Sequence, residues 1–444
     1  MYLLYSLLLS VAFLLMLPLF LMRREKYAAG FRQRLGNYPE FKNDGRKVIW
    51  LHCVSVGEAN AARPLANALV KDFPGHRLIV STTTKTGQEL ARKIFAGKAD
   101  AVFYFPFDWK FSVRRALNHF KPSAVLLMET EIWPRFISEA KQSGAKVAIV
   151  NGRLSERSFG RYGKVKGFVK RVLADVDLAL MQGGDDANRL ISLGLAAAKA
   201  KVTGNMKFDV ADDPRDAEIA AELNARFRFD DGRPVIAAAS THDPEERWLL
   251  DAFCSILAGE AKIKPRLVVA PRHPERFGEV ARLFREFRDE DACEFKRYRT
   301  ARRSDAPSEA DAEADIILLD SIGELRALFR LTSIAFVGGS LIPHGGQSVL
   351  EPAAAGNAII TGPHTFNFAD VMRVFLANRA AIQIAEAHPV SIPDEIFLHL
   401  SDLLEEPDAR AELARNARSV MKANRGATAR SVLELSHLLE ASRK

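Results

Sequence analysis

Cysteine is scarce in this chain: Cys53, Cys254 and Cys293 are the only three in 444 residues. They lie far apart and form no CxxC pair. Neither a disulfide framework nor a zinc site is expected, which fits a reducing compartment. The histidines show no metal-ligand spacing, so no metal and no other cofactor is expected. A GxxxxGK[ST] phosphate loop and a GxSxG elbow are both missing, which removes P-loop and serine-hydrolase chemistry. No recognised DNA or RNA module occurs either. The net charge of +8 and the pI of about 9.3 therefore point to an anionic membrane surface rather than to nucleic acid. One acidic triplet, Asp289 to Asp291, lies inside the charged run REFRDEDACEF and reads as a solvated face rather than a metal-bound nucleotide site.

Charge is absent from one long stretch, Tyr2 to Met22. It has the length of a bilayer crossing, which takes about 20 apolar residues. Arg23, Arg24, Lys26, Arg32 and Arg34 follow at once. Cationic flanks prefer the cytoplasmic side, so the rest of the chain is expected there. A cleaved signal peptide fits less well, because no basic region precedes the run and no small-residue cleavage site follows it. Pro18 leaves a shallow in-plane pose open beside a spanning one.

Beyond that anchor, apolar runs alternate with amphipathic stretches. KVIWLHCVS, HRLIVSTTT, AVFYFPF, SAVLLMET, AKVAIVNGR and DLALMQG read as strands, and VTGNMKFD closes the half. Strands this apolar, separated by helices, imply a parallel sheet covered on both faces. A charged stretch, 211–232, reads as a linker containing one helix and leads to a second α/β series holding VIAAAST, RLVVAP, DIILLD, IAFV and AIIT. The expected organisation is an anchor at 2–22, one domain at 31–210, the linker, a second domain at 233–425 and a C-terminal helix at 426–444. A cleft is expected between the two domains. Lys296 to Ala314 reads as a mobile surface loop, basic then acidic.

Ligands of parallel sheets bind beyond the carboxyl ends of the strands. The polar residues at those ends in the first half are Ser55, Gly57, Glu58, Thr82 to Thr84, Glu129, Glu131, Asn151 and Arg153. Glu58 sits where a strand turns into a helix, as either a carboxylate favoured by the helix dipole or a general base. Glu129 and Glu131 could orient a sugar or stabilise positive charge at a reacting carbon. The next segment carries Arg153, Arg157, Arg161, Lys164, Lys166, Lys170 and Arg171 with Phe159, Tyr162 and Phe168 interleaved. Beside an N-terminal anchor it reads as a face that meets lipid phosphates.

The second half centres on Ile334 to Phe368, IAFVGGSLIPHGGQSVLEPAAAGNAIITGPHTFNF. A strand, a loop with two glycine pairs, a short helix ended by Gly356 and another strand form a phosphate-binding arrangement. Glu351, one turn into the helix, is placed to take the hydroxyls of a ribose. Arg272 with His273, and Gly323 with Glu324, follow other strands of this half. A cation for phosphate and an acid for ribose or base together suit a nucleotide.

Read in order, HCVSVGE, METEIWP, NGRLSERS, TGNMKFD, ASTHDPEE, PRHPERF, GELRALF, AFVGGSL, GGQSVLEP and GPHTFNF resemble the 3-deoxy-D-manno-octulosonic acid (Kdo) transferases of lipid A assembly. These are inverting glycosyltransferases of the GT-B fold. The resemblance implies two Rossmann-like parallel-sheet domains facing across a cleft, with an N-terminal transmembrane or membrane-anchor helix. It implies CMP-Kdo as donor and the tetraacylated lipid A precursor (lipid IVA) as acceptor, at the inner membrane. Glu58 matches the family's general base, acting on the acceptor's 6'-hydroxyl. Glu129 and Lys207 match positions assigned to transition-state stabilisation. Pro271, Arg272, Ile322, Gly323, Glu324, Ser348, Val349, Leu350 and Glu351 match the CMP-binding segments. Arg153, Arg157, Arg161 and Lys164 are expected to face acceptor and anionic lipid. The chain departs from the family at Gln347 and Ser348, where His and Asn are usual, at Ile322, usually Met, and in NGR, usually NAR. Two other readings stay open: a GT-B enzyme using another activated sugar, or a non-catalytic membrane regulator that binds a nucleotide.

Overall fold

Odd and even residues of a strand point to opposite faces of its sheet, so a strand covered on both sides must be apolar throughout. KVIWLH shows this directly. Val48 and Trp50 join the core on one face of the first sheet, while Ile49 and Leu51 join the core on the other. The computed structural model describes residues 1–22, 29–42, 44–210, 213–259, 264–289, 298–386 and 388–440. Arg23, Arg24, Lys26, Glu290, Asp291, Cys293 and Lys296 lie outside the described residues.

The chain divides into two compact units, one made of 1–209 with 424–444, the other of 210–423. The first holds β1 (Lys47–His52), β2 (His76–Thr82), β3 (Ala101–Tyr104), β4 (Pro122–Met128), β5 (Lys146–Gly152), β6 (Leu178–Met181) and β7 (Ala200–Val202). Their order is β3-β2-β1-β4-β5-β6-β7 and every pairing is parallel. The order reverses between β1 and β4, and the crevice for a ligand lies at such a reversal. The last helix, Ala427–Glu440, belongs to this unit. Ala427, Leu435 and Leu439 enter the core beside Leu65 and Leu69. Asp209 fixes its start, with Oδ1 accepting from the Gly426 amide at 2.7 Å and Oδ2 from the Thr428 amide at 2.6 Å.

The second unit holds β8 (Val235–Thr241), β9 (Arg266–Pro271), β10 (Thr300–Arg302), β11 (Ile316–Leu318), β12 (Ile334–Val337), β13 (Ala358–Thr361) and β14 (Ile382–Gln383). The order is β10-β11-β9-β8-β12-β13-β14, again all parallel, with the reversal between β8 and β12. The stretch read as a linker contains the helix Arg215–Phe227, which packs Leu223 and Phe227 into this unit's core. The segment read as a mobile loop instead supplies edge strand β10 and the short helical turn Glu309–Glu313. Among its described residues, several charges are paired. Arg302 pairs with the buried Asp320, and Arg226 with Asp311 at 2.7 Å.

Candidate active site

In the first unit the site forms at the reversal between β1 and β4. Ser55 caps the helix Val56–Asp72 by accepting from the Glu58 amide at 3.4 Å, and its hydroxyl donates to Glu58 Oε1 at 3.1 Å. The Val54 amide donates to Glu58 Oε2 at 2.7 Å. This resembles a capping box whose acid reaches one residue further back. It folds the carboxyl inward, leaving Glu58 only 7% exposed. Burial, reinforced by Glu129 and Glu131, pushes the carboxyl up to about 8 against the pull of the Val54 and Ser55 hydrogen bonds. Such a group is a far stronger proton acceptor than a solvated glutamate, and catalytic bases are tuned this way.

Glu129 follows β4 with φ +53°, and Asn151 near the end of β5 has φ +54°. Left-handed backbone at residues other than glycine costs about 1–3 kcal/mol and gathers at functional sites. Asn151 accepts from the Met206 amide at 2.9 Å and so ties β5 to the turn Met206–Phe208, which carries Lys207. Lys207 Nζ stands 3.6 Å from Glu129 Oε1. Glu58, Glu129 and Lys207, far apart in sequence, therefore belong to one cluster. Burial, then the Glu129 charge, also raises the Glu131 carboxyl.

Of the expected acceptor-facing cations, Arg157, Arg161 and Lys164 are exposed and Arg153 is half-buried. The Arg153 amide donates to Thr130 Oγ1 at 2.9 Å, and that hydroxyl donates to the Arg153 carbonyl at 2.5 Å. The start of the basic segment is thereby fixed to the loop that bears Glu129 and Glu131. Thr84 serves as a helix cap, accepting from the Gly87 amide at 3.0 Å.

In the second unit the glycine-rich loop is held differently from the sequence expectation. The amides of Gly339, Ser340 and Leu341 all donate to Glu245, at 2.7, 3.0 and 3.0 Å, and the His242 amide adds a fourth bond at 3.0 Å. These donors are spent on a buried carboxylate and are not free for a phosphate. Gly338 has to be glycine, because a Cβ there would lie 2.7 Å from the Ser240 carbonyl oxygen and 2.9 Å from Glu245. Glu245 was not singled out in the sequence. Its only signal was an acid following a strand, in THDPEE, as with Glu58. His242 stands 4.9 Å from His344 and 5.4 Å from His273, ring to ring, and Ser240 has φ +57°. Burial, then His344 and His273, holds the His242 imidazole down at about 4.

Pro271 ends β9, and Arg272 beyond it is exposed. Ile322, 80% exposed, and Gly323 form an open tip. Burial works to raise the Glu324 carboxyl, yet Arg303, 2.9 Å away, and Ser321 hold it below its usual value. Ser348 accepts from the Leu350 amide at 3.3 Å, starting the helix Leu350–Ala355. Glu351 is half-buried. Burial raises its carboxyl, opposed by Arg326 and Arg272. Arg326 is itself paired with Asp216 at 2.8 Å. The expected nucleotide segments at Arg272 and Glu351 thus meet electrostatically, while Glu324 is engaged by Arg303. Among the described residues, no group of three or more His, Cys, Asp or Glu is placed to hold a metal.

Comparison with known proteins adds four findings. A family model described as 3-deoxy-D-manno-octulosonic-acid transferase (kdotransferase) matches residues 29–210. A 3-deoxy-D-manno-octulosonic acid transferase of Haemophilus influenzae is 33% identical over 419 residues, covering 94% of this chain and 92% of that one. Among solved structures, the UDP-GlcNAc 2-epimerase of Neisseria meningitidis matches with a TM-score of 0.55 at 14% identity, covering 88% of this chain and 100% of that one. A glycosyltransferase of Rickettsia africae ESF-5 matches with a TM-score of 0.53 at 11% identity, covering 89% and 99%. At such identities the structures speak for the fold alone, which is of the GT-B type. The sequence relationship decides the rest: this chain belongs to the Kdo transferases, a family of glycosyltransferases.

Proposed function

We propose that the chain transfers Kdo from CMP-Kdo to the 6'-hydroxyl of the tetraacylated lipid A precursor, with inversion at the sugar. The observation that carries the catalytic part is the Glu58 carboxyl, buried among Val54, Ser55, Glu129 and Glu131 and raised to about 8. In its ionised form Glu58 takes the proton of the acceptor hydroxyl. The hydroxyl oxygen bonds to the anomeric carbon, the bond from that carbon to the phosphate oxygen breaks, and CMP departs. Glu129 and Lys207 stabilise charge developing at the sugar. Pro271, Arg272, Ile322, Gly323, Glu324 and Ser348 to Glu351 hold the nucleotide, with Arg272 supporting the leaving phosphate. For Glu324 to reach a ribose it must first exchange its Arg303 partner. Arg153, Arg157, Arg161 and Lys164 meet the anionic acceptor and the surrounding lipid. The N-terminal helix anchors the protein in the inner membrane, with both units on the cytoplasmic side.

The test is Kdo transfer to the purified acceptor, with the product mass and anomeric configuration determined. Removal of a general base lowers a rate by about 100- to 10,000-fold. Glu58→Ala is expected to fall in that range while still binding CMP. Wild-type turnover by Glu58→Ala would overturn the assignment. CMP binding by the wild type without any transfer would favour a regulator.

A further inference from the structure

The uncharged helix Tyr2–Met22 is long and apolar enough to cross a membrane, but its contacts say otherwise. Tyr2, Tyr5, Ser6, Leu9, Ser10 and Phe13 are half-buried, at the spacing of one helix face. Tyr5 donates to Asp108 Oδ2 at 2.7 Å, Arg135 Nε donates to Ser6 Oγ at 3.0 Å, and Trp109 Nε1 donates to Ser10 Oγ at 3.1 Å. Asp108 is buried and also accepts from the amides of Arg135 and Phe136 at 3.0 and 2.7 Å, so the latch stands on a fixed helix start. Tyr2 meets Phe168 edge-on at 5.5 Å. Phe13 meets Phe107 at 5.5 Å, and Phe31, on the far side of the anchor, meets the same Phe107 ring at 5.9 Å.

Two consequences follow. Tyr2 to Phe13 runs roughly 18 Å along the first unit at 1.5 Å per residue. Only Leu14 to Met22 is left over, about 13 Å of helix against a hydrocarbon core of about 30 Å. A crossing helix would also separate Tyr2 from Phe31 by the whole bilayer, yet both rest on one sheet unit. The opposite face is apolar and uncovered: Leu3, Leu4, Leu7, Leu8 and Val11 are exposed, Leu3 by 82%. Exposed Phe111 and Val165 lie on the same unit, and exposed Arg161, Lys164 and Lys166 flank Val165.

We infer that this helix is a monotopic float, lying in the interface of an anionic bilayer with its leucine face among the acyl chains and both ends on the side of the catalytic units. Its partner is the phospholipid surface itself. The basic segment beside Phe168 supplies the charge that such a surface attracts. The inference rests on the proposed function only in placing the enzyme at a membrane that contains its acceptor.

The test uses the enzyme in phosphatidylethanolamine–phosphatidylglycerol vesicles of defined orientation, with Cys293→Ser leaving only the buried Cys53 and Cys254 as native thiols. Leu3→Cys probes the helix start, and Val390→Cys, at an exposed position, marks the side of the catalytic units. A membrane-impermeant maleimide is expected to label Val390→Cys from one side and to leave Leu3→Cys, shielded among the acyl chains, unlabelled from either side until detergent is added. A short bis-maleimide is expected to join Ser6→Cys to Arg135→Cys within intact membranes. Labelling of Leu3→Cys from the opposite side, or failure to cross-link, would overturn the inference. Absence of vesicle binding would do the same and point to a protein partner for the leucine face. Kdo transfer measured in the same vesicles reads the functional assignment separately, since neither topology result depends on turnover.

Discussion

Glu58 is held by the groups that begin its own helix, and this couples its chemistry to stability. The carboxyl must be ionised to accept a proton, so kcat/KM is expected to rise with pH through about 8 and then level. Lys207→Met leaves the Glu129 charge acting undiluted on Glu58 and should move that limb to higher pH. Glu131→Gln removes a repelling charge and should move it lower. Comparing the three pH profiles checks the cluster, and an acid shift in Lys207→Met would contradict it. Stability runs the other way. Folded Glu58 keeps a proton up to about 8 that the unfolded chain sheds near 4.5, so the fold weakens as pH rises through that window. Glu58→Gln should flatten this dependence in denaturant titrations and be more stable than wild type at pH 9. Glu245 poses the opposite case. Its two oxygens take four amides, whereas Glu245→Gln keeps one good acceptor oxygen. Each buried amide left unpaired costs about 1–3 kcal/mol. That variant should melt earlier and bind CMP more weakly, as read by calorimetry and CMP titration.

Among the elements, long apolar strands were legible because both faces of each sheet are covered, and β1 and β12 emerge where their runs lie. Edge strands β10 and β14 were not legible. They span three and two residues, too short to show a period, and β10 lies in a stretch whose charges disguised it. The cluster at β1 and β4 could be anticipated from acids standing directly after apolar runs. The hold on the glycine loop could not, because Glu245 and Gly339 are 94 positions apart and only the β8–β12 pairing brings them together. The docked face of the N-terminal helix was hidden by the uniform apolarity of its surroundings. Tyr5, Ser6 and Ser10 look like minor polar interruptions until Asp108, Trp109 and Arg135 are set against them. The loop geometry yields its own prediction. Gly345 has φ +90°, and a Cβ there would come within 2.5 Å of Phe366 and Asn367. Gly345→Ala should displace the turn before Ser348 and weaken CMP binding several-fold, while circular dichroism stays native.

At the scale of the whole chain, the first unit is discontinuous. Its core closes only when Ala427, Leu435 and Leu439 arrive from the far end, beyond the 214 residues of the second unit, 210–423. Ending the chain at 425 should therefore destabilise the first unit selectively. Hydrogen exchange is expected to rise in Val56–Asp72 and β5, with little change around β8 and β12. The same return has a meaning for synthesis. Domains generally form as they leave the ribosome, the amino-terminal one first. Here that order is inverted: the second unit is complete in sequence while the first, though made earlier, still lacks a wall. A chain that stops before Ala427 therefore leaves the core around Leu65 and Leu69 open, and exposed apolar surface of that kind favours aggregation over function.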